Sequence, residues 1–198
     1  MNLQLRDHLL ELSNKDLNLR DKLAQDGSLF DGYHPEMESL HKANAAELKK
    51  IIKEYGWPDK TLVGEDGVQA AWLVLQHDIG EPDFLRSVQP LLEQASNEGK
   101  IPKEQYAYFI DRINLFEGKP QKYGTQYDWD EDGQLSPSPI EDIEKVDELR
   151  ASVGLLALEE NTKRMREGVQ KSGEKPPVNY LERKQKAEAW AKSVGWRS

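Results

Sequence analysis

The stretch "EDGVQAAWLVLQHD", from Glu65 to Asp78, decides the fold because its helical period is apolar on two sides. The two apolar faces consist of Val68, Trp72, Leu75 and Ile79 on one side and of Ala70, Leu73 and Val74 on the other. A helix that is apolar all round must be covered by neighbouring elements. His77 continues the second face at the helix's C-terminal end. The stretch therefore predicts a buried central helix with other helices packed around it.

Amphipathic patterns on both sides of this stretch predict the surrounding helices. A first helix from Leu3 to Gln25 has a leucine stripe, and a second one ends at Gly56-Trp57-Pro58. Two further helices begin at "GEPDF" and at Pro102, and three more are predicted after residue 139. Between residues 119 and 139 the helical period disappears, and turn residues there favour an irregular hairpin. The predicted fold class is all-α, mainly helical, with one small β-hairpin insertion.

The composition predicts one compact domain with an extension. We expect a helical core domain over residues 1–160, with the hairpin at about 119–139, and a C-terminal helical extension over 161–198. The segment "SGEKPP" has the glycine and proline content of a linker ahead of the last helix.

Charge and residue usage restrict the classes of partner. The net charge of -9 is spread along the chain without a basic patch, which disfavours nucleic acid. There are no cysteines, the N-terminal residues are charged, and no apolar run approaches the roughly 20 residues of a membrane span. We therefore expect a cytoplasmic protein that binds a small molecule, with no membrane contact. The sequence leaves the oligomeric state open.

A possible calcium loop lies in the predicted hairpin. Asp128, Asp130, Asp132 and Gly133 have the D-x-D-x-D-G spacing of an EF-hand, but the twelfth position, which should be a bidentate glutamate, is Pro139. Asp-Gly is also the common tip of a tight hairpin. We favour the turn. The four histidines are far apart without an H-x-x-x-H pair, so the sequence predicts neither a metal site nor a cofactor.

Polar residues on apolar helix faces are the strongest indication of a functional site. Asp16, Asn44, His77 and Asp111 come from four different predicted helices. Burying such groups unpaired is costly, so we expect them to meet in one polar pocket between the third and fifth helices. Two arginines, Arg20 four residues after Asp16 and Arg112 next to Asp111, could hold an anionic group there. Two ordinary surface ion pairs are the alternative.

Several phrases of the sequence resemble a known family in order and spacing. These are "NKDLNLR", "NAAELKKIIKEYGWP", "VGEDGVQAAWLVLQHD", "YFIDRI", "GKPQKYGTQ" and "VDELRASVGL". They resemble the motifs of a mainly bacterial domain-of-unknown-function family, 6624, from about Leu3 to Leu158. Because that family has no assigned activity, the resemblance implies the location of a site and not its chemistry.

The resemblance implies a set of site residues that largely coincides with the polar residues identified above. The implied positions are Asp16, Arg20, Asn44, Gln76, His77, Asp111, Arg112, Gln121, Tyr123, Gly124, Thr125, Gln126 and Arg150. The "YGTQ" loop would form the lip of the pocket and offer hydroxyl and amide groups to a ligand. His41 is outside this pattern, and we interpret it as structural.

Three functions remain open from the sequence. In the first, an enzyme acts on a small polar or anionic substrate. His77 would be its general acid or base, oriented by Asp111, in a reaction such as hydrolysis or group transfer. In the second, the same pocket binds a small molecule or peptide without turnover. In the third, the polar cluster only specifies helix packing in a structural or immunity-type interaction protein.

Overall fold

The computed structural model describes residues 1–30 and 32–198, which divide into two compact units, Met1–Pro102 and Lys103–Ser198. The described elements are eight α-helices, one short 3-10 helix and one two-stranded antiparallel hairpin. This confirms the predicted fold class. No helix among the described residues combines the length and the hydrophobicity that a membrane span requires.

Unit 1 contains four long helices. They are α1 (Leu3–Gln25), α2 (Pro35–Tyr55), α3 (Lys60–His77) and α4 (Pro82–Asn97), with the 3-10 turn Ser28–Phe30 between α1 and α2. The first three helices pack on one another in all three pairs, so their buried faces converge on one core. This convergence brings the functional side chains of unit 1 together.

Helix α1 has the bounds that the sequence predicts. Asn2 caps it by accepting a hydrogen bond from the backbone N–H of Leu5 at 3.1 Å. The buried stripe consists of Leu5, Leu9, Leu12 and Leu23, and it also includes Asp16. A carboxylate therefore lies inside an otherwise apolar seam.

Helix α3 begins five residues earlier than predicted, because a turn precedes the regular helix. Asp59 caps this turn by accepting hydrogen bonds from the backbone N–H groups of Thr61 and Leu62. Gly64 then interrupts the helical backbone with φ of 74°. The predicted start at Glu65 is the point where the regular helix resumes. Val74 and Leu75 are completely buried, in agreement with the central position expected for this helix.

Unit 2 contains the remaining helices and the hairpin. Its elements are α5 (Lys103–Phe116), β1 (Tyr127–Trp129), β2 (Leu135–Pro137), α6 (Val146–Ser152), α7 (Leu158–Ser172) and α8 (Tyr180–Val194). The strands are antiparallel with Asp128 opposite Ser136, and α7 packs on β2. The domain boundary expected at residues 160 and 161 falls inside α7, whereas the two units divide after Pro102.

The hairpin tip is organised by its own aspartates. Asp130 accepts hydrogen bonds from the backbone N–H groups of Asp132 and Gln134 and from the hydroxyl of Ser136. Asp128 forms an ion pair with Arg183. These contacts are those of a side-chain-stabilised turn.

Helix α8 packs on the end of α5 through aromatic rings. The ring of Phe116 lies 5.6 Å from that of Trp190 and 5.3 Å from that of Trp196, centroid to centroid. Arg197 donates hydrogen bonds to the backbone carbonyls of Leu115 and Phe116, at the C-terminal end of α5. The predicted C-terminal extension is therefore an integral part of unit 2.

Candidate functional site

Three helices of unit 1 each place one ionisable side chain at the same point of the core. Asp16 comes from the buried stripe of α1, His41 from the buried face of α2, and His77 is the last residue of α3. We call Asp16, His41 and His77 the histidine cluster. One donor or acceptor atom from each of the three lies within 4.8 Å of the other two. Imidazole nitrogens with a carboxylate oxygen can share protons or ligate a metal.

The carboxylate of Asp16 lies between the two imidazoles. Its Oδ1 is 2.8 Å from Nδ1 of His77 and forms a hydrogen bond with it. Its Oδ2 is 2.9 Å from Nε2 of His41, yet the two atoms are not aligned for a hydrogen bond. The imidazole centroids are 5.5 Å apart. Asp16 is completely buried, whereas the side chain of His77 keeps 25% of its surface exposed, so solvent reaches the cluster at His77.

Tyr33 holds the other side of the His41 ring. Its hydroxyl lies 2.6 Å from Nδ1 of His41, and the two rings are stacked 5.6 Å apart. Burial and then the negative charges of Asp78 and Glu38 raise the pKa of the Tyr33 hydroxyl. Tyr33 is therefore a neutral hydroxyl that fixes the orientation of His41.

The environment of Asp16 keeps its carboxylate ionised. Burial alone would raise the pKa of Asp16, but the close contacts with His41 and His77 outweigh it and hold the pKa at about 2. An ionised carboxylate therefore lies between the two imidazoles.

A second carboxyl, Asp78, follows the cluster at the end of α3. It is completely buried, and neither of its oxygens has a hydrogen-bond partner in the described part of the chain. Burial, followed by repulsion from Asp16 and Glu81, raises the pKa of Asp78 to about 9. Asp78 is therefore protonated at neutral pH, because burial and the two carboxylates outweigh the opposing charge of Lys49.

The remaining predicted residues of unit 1 are Arg20, Asn44 and Gln76. Arg20 is exposed, and no ion pair joins it to Asp16 in the described ranges, so the expected pair of these residues does not form. Asn44 is buried and donates one long hydrogen bond, 3.5 Å, to the carbonyl of Leu12. Gln76 is half-buried beside His77 on α3.

In unit 2, Asp111 organises the loop from Lys122 to Gln126. Its Oδ1 accepts hydrogen bonds from the backbone N–H groups of Lys122 and Tyr123, at 2.8 Å and 3.0 Å. Its Oδ2 accepts from the backbone N–H and the hydroxyl of Thr125, at 2.9 Å and 3.0 Å. Asp111 is completely buried. Both of its oxygens are therefore engaged by the loop within unit 2.

Two glutamines and Arg112 close the same loop. Gln121, which is completely buried, donates to the carbonyls of Gln126 and Ser138 and accepts from the backbone N–H of Gln126. The side chain of Gln126 donates to Thr125 and accepts from Nε of Arg112 at 3.3 Å. The amides that were expected to offer hydrogen bonds to a ligand bind the loop's own backbone and side chains.

Arg150 holds the opposite side of the loop. It is 1% exposed, and its guanidinium donates to the carbonyls of Tyr123, Gly124 and Leu156. Gly124 has φ of 63°, and a Cβ there would lie 2.8 Å from Cδ1 of Ile140. We call Asp111, Gln121, residues 122–126 and Arg150 the loop clamp. Its polar groups have the contacts of a structural element.

The structure thus sorts the predicted site residues into two groups. Asp16 and His77 contact each other in unit 1, whereas Asp111, Gln121, the loop and Arg150 contact one another in unit 2. His41 was interpreted as structural from the sequence, yet its imidazole lies against Asp16. Its place on the apolar face of α2, three residues before Asn44, was the signal that could have identified it. Tyr33 gave no such signal.

The comparison with family models gives the same family that the sequence resembles. The model of a family of unknown function, DUF6624, matches residues 3–171, and the chain belongs to this family. Comparison with curated proteins and with solved structures gave no match.

Proposed function

We propose that this protein is an enzyme that transfers a proton to or from a small polar substrate at His77, with Asp16 as the orienting carboxylate. The observation that carries the proposal is the 2.8 Å hydrogen bond from Nδ1 of His77 to a completely buried Asp16. A carboxylate that binds one imidazole nitrogen fixes the tautomer and presents the other nitrogen to the substrate.

The accessible atom of His77 is suited to this role. Among the described residues, Nε2 of His77 has no hydrogen-bond partner, and the side chain is partly exposed. With Nδ1 protonated toward Asp16, Nε2 carries the lone pair and can accept a proton from a substrate hydroxyl or from water. The resulting imidazolium would be stabilised by the ionised Asp16, whose pKa is held at about 2.

Tyr33 and His41 support Asp16 from the side opposite His77. The Tyr33 hydroxyl can donate to Nδ1 of His41, so that the Nε2–H of His41 lies near Oδ2 of Asp16. In this arrangement Asp16 is held between two neutral imidazoles and carries the only charge of the three. Proton transfer at His77 then needs no rearrangement of its neighbours, which is the advantage of a preorganised site.

Asp16 replaces Asp111 in the orienting role in this proposal. The oxygens of Asp111 are occupied by three backbone N–H groups and one hydroxyl of unit 2. The expected anion-binding arginines are also less well supported, since Arg20 is exposed and makes no ion pair with Asp16 in the described chain. We therefore propose a polar substrate without a required negative charge.

The proposed reaction is hydrolysis or group transfer, in which a water or hydroxyl nucleophile loses its proton to His77. We also keep a cytoplasmic location as a proposal, which the absence of cysteine supports.

The test is a thermal-shift screen of metabolites and nucleotides, followed by detection of products by mass spectrometry for every ligand that raises the melting temperature. His77→Gln is compared with His8→Gln, a control in a half-buried histidine of α1 that lies outside the cluster. We expect His77→Gln to lower kcat by about 100-fold or more while the melting temperature stays within about 2 °C. A rate unchanged in His77→Gln would refute the proposal. A strongly destabilised His77→Gln with no ligand found would support a structural role instead.

A further inference from the structure

The histidine cluster contains nitrogen and oxygen atoms that could bind a metal ion, and its hydrogen bonds do not use all of them. It offers two imidazole nitrogens and one carboxylate oxygen from three different helices, all within 4.8 Å of one another. Two histidines and one carboxylate are the ligands of many zinc, iron and manganese sites, where further positions remain for water or substrate. Ligands bound to a common ion at about 2.0 to 2.2 Å lie roughly 3 to 4 Å apart. Small side-chain rotations therefore bring the three atoms into coordination distance.

Buried atoms without partners are an independent indication. Oδ2 of Asp16 and Nε2 of His41 are both buried, and neither has a hydrogen-bond partner among the described residues, although the two atoms are 2.9 Å apart. Most buried polar atoms in native proteins are satisfied, and leaving one unsatisfied costs about 1 to 3 kcal/mol. One ion between these two atoms would satisfy both.

The charge balance of the cluster also favours a cation. Asp16 is a completely buried carboxylate, and in residues 1–30 and 32–198 it forms no ion pair with a lysine or arginine. Buried acidic groups normally have such a partner or bind a metal ion. The C-terminal end of α3, where His77 lies, adds the negative end of a helix dipole.

The surroundings resemble those of a metal site in two further respects. Metal-binding histidines usually use the second ring nitrogen for a hydrogen bond that fixes the ring, and Nδ1 of His41 has such a contact with the Tyr33 hydroxyl at 2.6 Å. When Nε2 of His41 binds a metal, Nδ1 is protonated and donates to the Tyr33 oxygen. The partial exposure of His77 supplies a path for an ion and for its bound water.

We propose that Asp16, His41 and His77 bind one divalent transition-metal ion of the zinc, iron or manganese class, with at least one position open to water. The inference rests on the proposed function because it uses the same residues. It differs in the reacting group, since a metal-bound water takes the place of Nε2 of His77. In the metal-bound form, His77 would be a ligand, and the bound water would release its proton to solvent. Zinc lowers the pKa of such a water to about 7. The imidazole ligands favour these ions over magnesium and calcium.

The experiment measures metal binding directly on the full chain. Protein treated with EDTA is dialysed against Zn²⁺, Mn²⁺ or Mg²⁺, the bound metal is counted by mass spectrometry, and the affinity is measured by titration calorimetry. We expect one equivalent of Zn²⁺ or Mn²⁺ and no saturable Mg²⁺ binding. Asp16→Asn, His41→Gln and His77→Gln should each weaken binding by about 100-fold or more. His8→Gln and His34→Gln change the other two histidines and should leave the affinity unchanged.

Two further measurements keep the result decisive if a variant fails to fold. X-ray absorption of the wild-type zinc protein should show scattering from two imidazoles, and wild-type protein loaded with Co²⁺ should show the visible absorption of a four- or five-coordinate ion. Fewer than two imidazoles, no stoichiometric metal, or binding that persists in folded His41→Gln and His77→Gln would overturn the inference.

The same data separate this inference from the proposed function. Stoichiometric zinc bound through two imidazoles, without turnover of any ligand, would leave the metal site standing and refute the enzyme. Turnover that continues after EDTA treatment, together with loss of activity in His77→Gln, would support the enzyme and overturn the metal site.

Discussion

The two units bury polar clusters of similar size in opposite ways. In the loop clamp, each oxygen of Asp111 accepts hydrogen bonds from the loop, and Arg150 donates to three carbonyls. In the histidine cluster, Oδ2 of Asp16 and Nε2 of His41 are buried without a hydrogen-bond partner in the described part of the chain, and so are both oxygens of the nearby Asp78. A satisfied polar network stabilises a structure, whereas an unsatisfied one costs stability and is retained for another reason. The comparison supports the proposal that the functional site is the cluster of unit 1.

The largest expected effect is the loss of stability that follows when Asp111 is removed from the loop clamp. Asp111→Ala would leave three backbone N–H groups and a hydroxyl without their acceptor. We expect the free energy of unfolding to fall by about 3 to 5 kcal/mol, measured by urea denaturation. Asp132→Ala, at the exposed hairpin tip, is the control and should change it by less than about 0.5 kcal/mol. If Asp111→Ala lowered the free energy of unfolding by less than about 1 kcal/mol, the loop clamp would not be the stabilising network that the comparison assumes.

Replacement of Asp78 is expected to have a smaller effect of opposite sign, an increase in stability. Its pKa in the folded protein, about 9, is raised from the ordinary value of 3.8, so folding at pH 7 requires the carboxyl to take up a proton. Asp78→Asn removes this requirement and should raise the free energy of unfolding by about 1 to 3 kcal/mol at pH 7 to 8.

The pH dependence of that gain checks its sign. Below pH 3.8 the carboxyl is protonated in both states, so wild type and Asp78→Asn should differ little in this respect. As the pH rises toward 9, the unfolded wild type is increasingly favoured by its ionised Asp78, and the advantage of the variant should grow. Urea denaturation at pH 5 and pH 8 in the presence of EDTA measures this. A variant less stable than wild type at pH 8 would contradict the prediction.

The smallest effect is expected at Arg20. It is exposed and forms no ion pair with Asp16 in the described part of the chain, so Arg20→Ala should change the free energy of unfolding by less than about 0.5 kcal/mol. Metal affinity should also stay the same. A large loss of either would show that Arg20 compensates the charge of Asp16 in solution, and the histidine cluster would then be less unsatisfied than the comparison assumes.

The sequence predicted the fold well because the helix signals are local. The leucine stripe predicted α1, and the apolar faces of α3 placed it at the centre. The start of α3 was missed because a capped turn, broken at Gly64, precedes the regular helix. The helix predicted over "IEDIEKVDELRASVG", residues 140–154, covers only Val146–Ser152. The residues before it form turns in which Asp142 accepts hydrogen bonds from backbone N–H groups.

The site was only half predictable, because contacts between helices depend on their packing angles. A polar residue on an apolar stripe identified Asp16 and His77, but nothing in the spacing tells which partner faces which. Four residues along a helix also turn the side chain by about 40°, which is enough to leave Arg20 in solvent while Asp16 is buried. His41 could be recognised only once α2 was placed against α1.

The contact of Phe116 with Trp190 and Trp196 has a spectroscopic consequence. Trp196 is 3% exposed, so its indole lies in an apolar environment and should emit at short wavelength until this end of unit 2 unfolds. The two tryptophans of unit 1, Trp57 and Trp72, are also buried. With both of these replaced by phenylalanine, intrinsic fluorescence would follow the melting of unit 2 alone, and the two units could be denatured and observed one at a time.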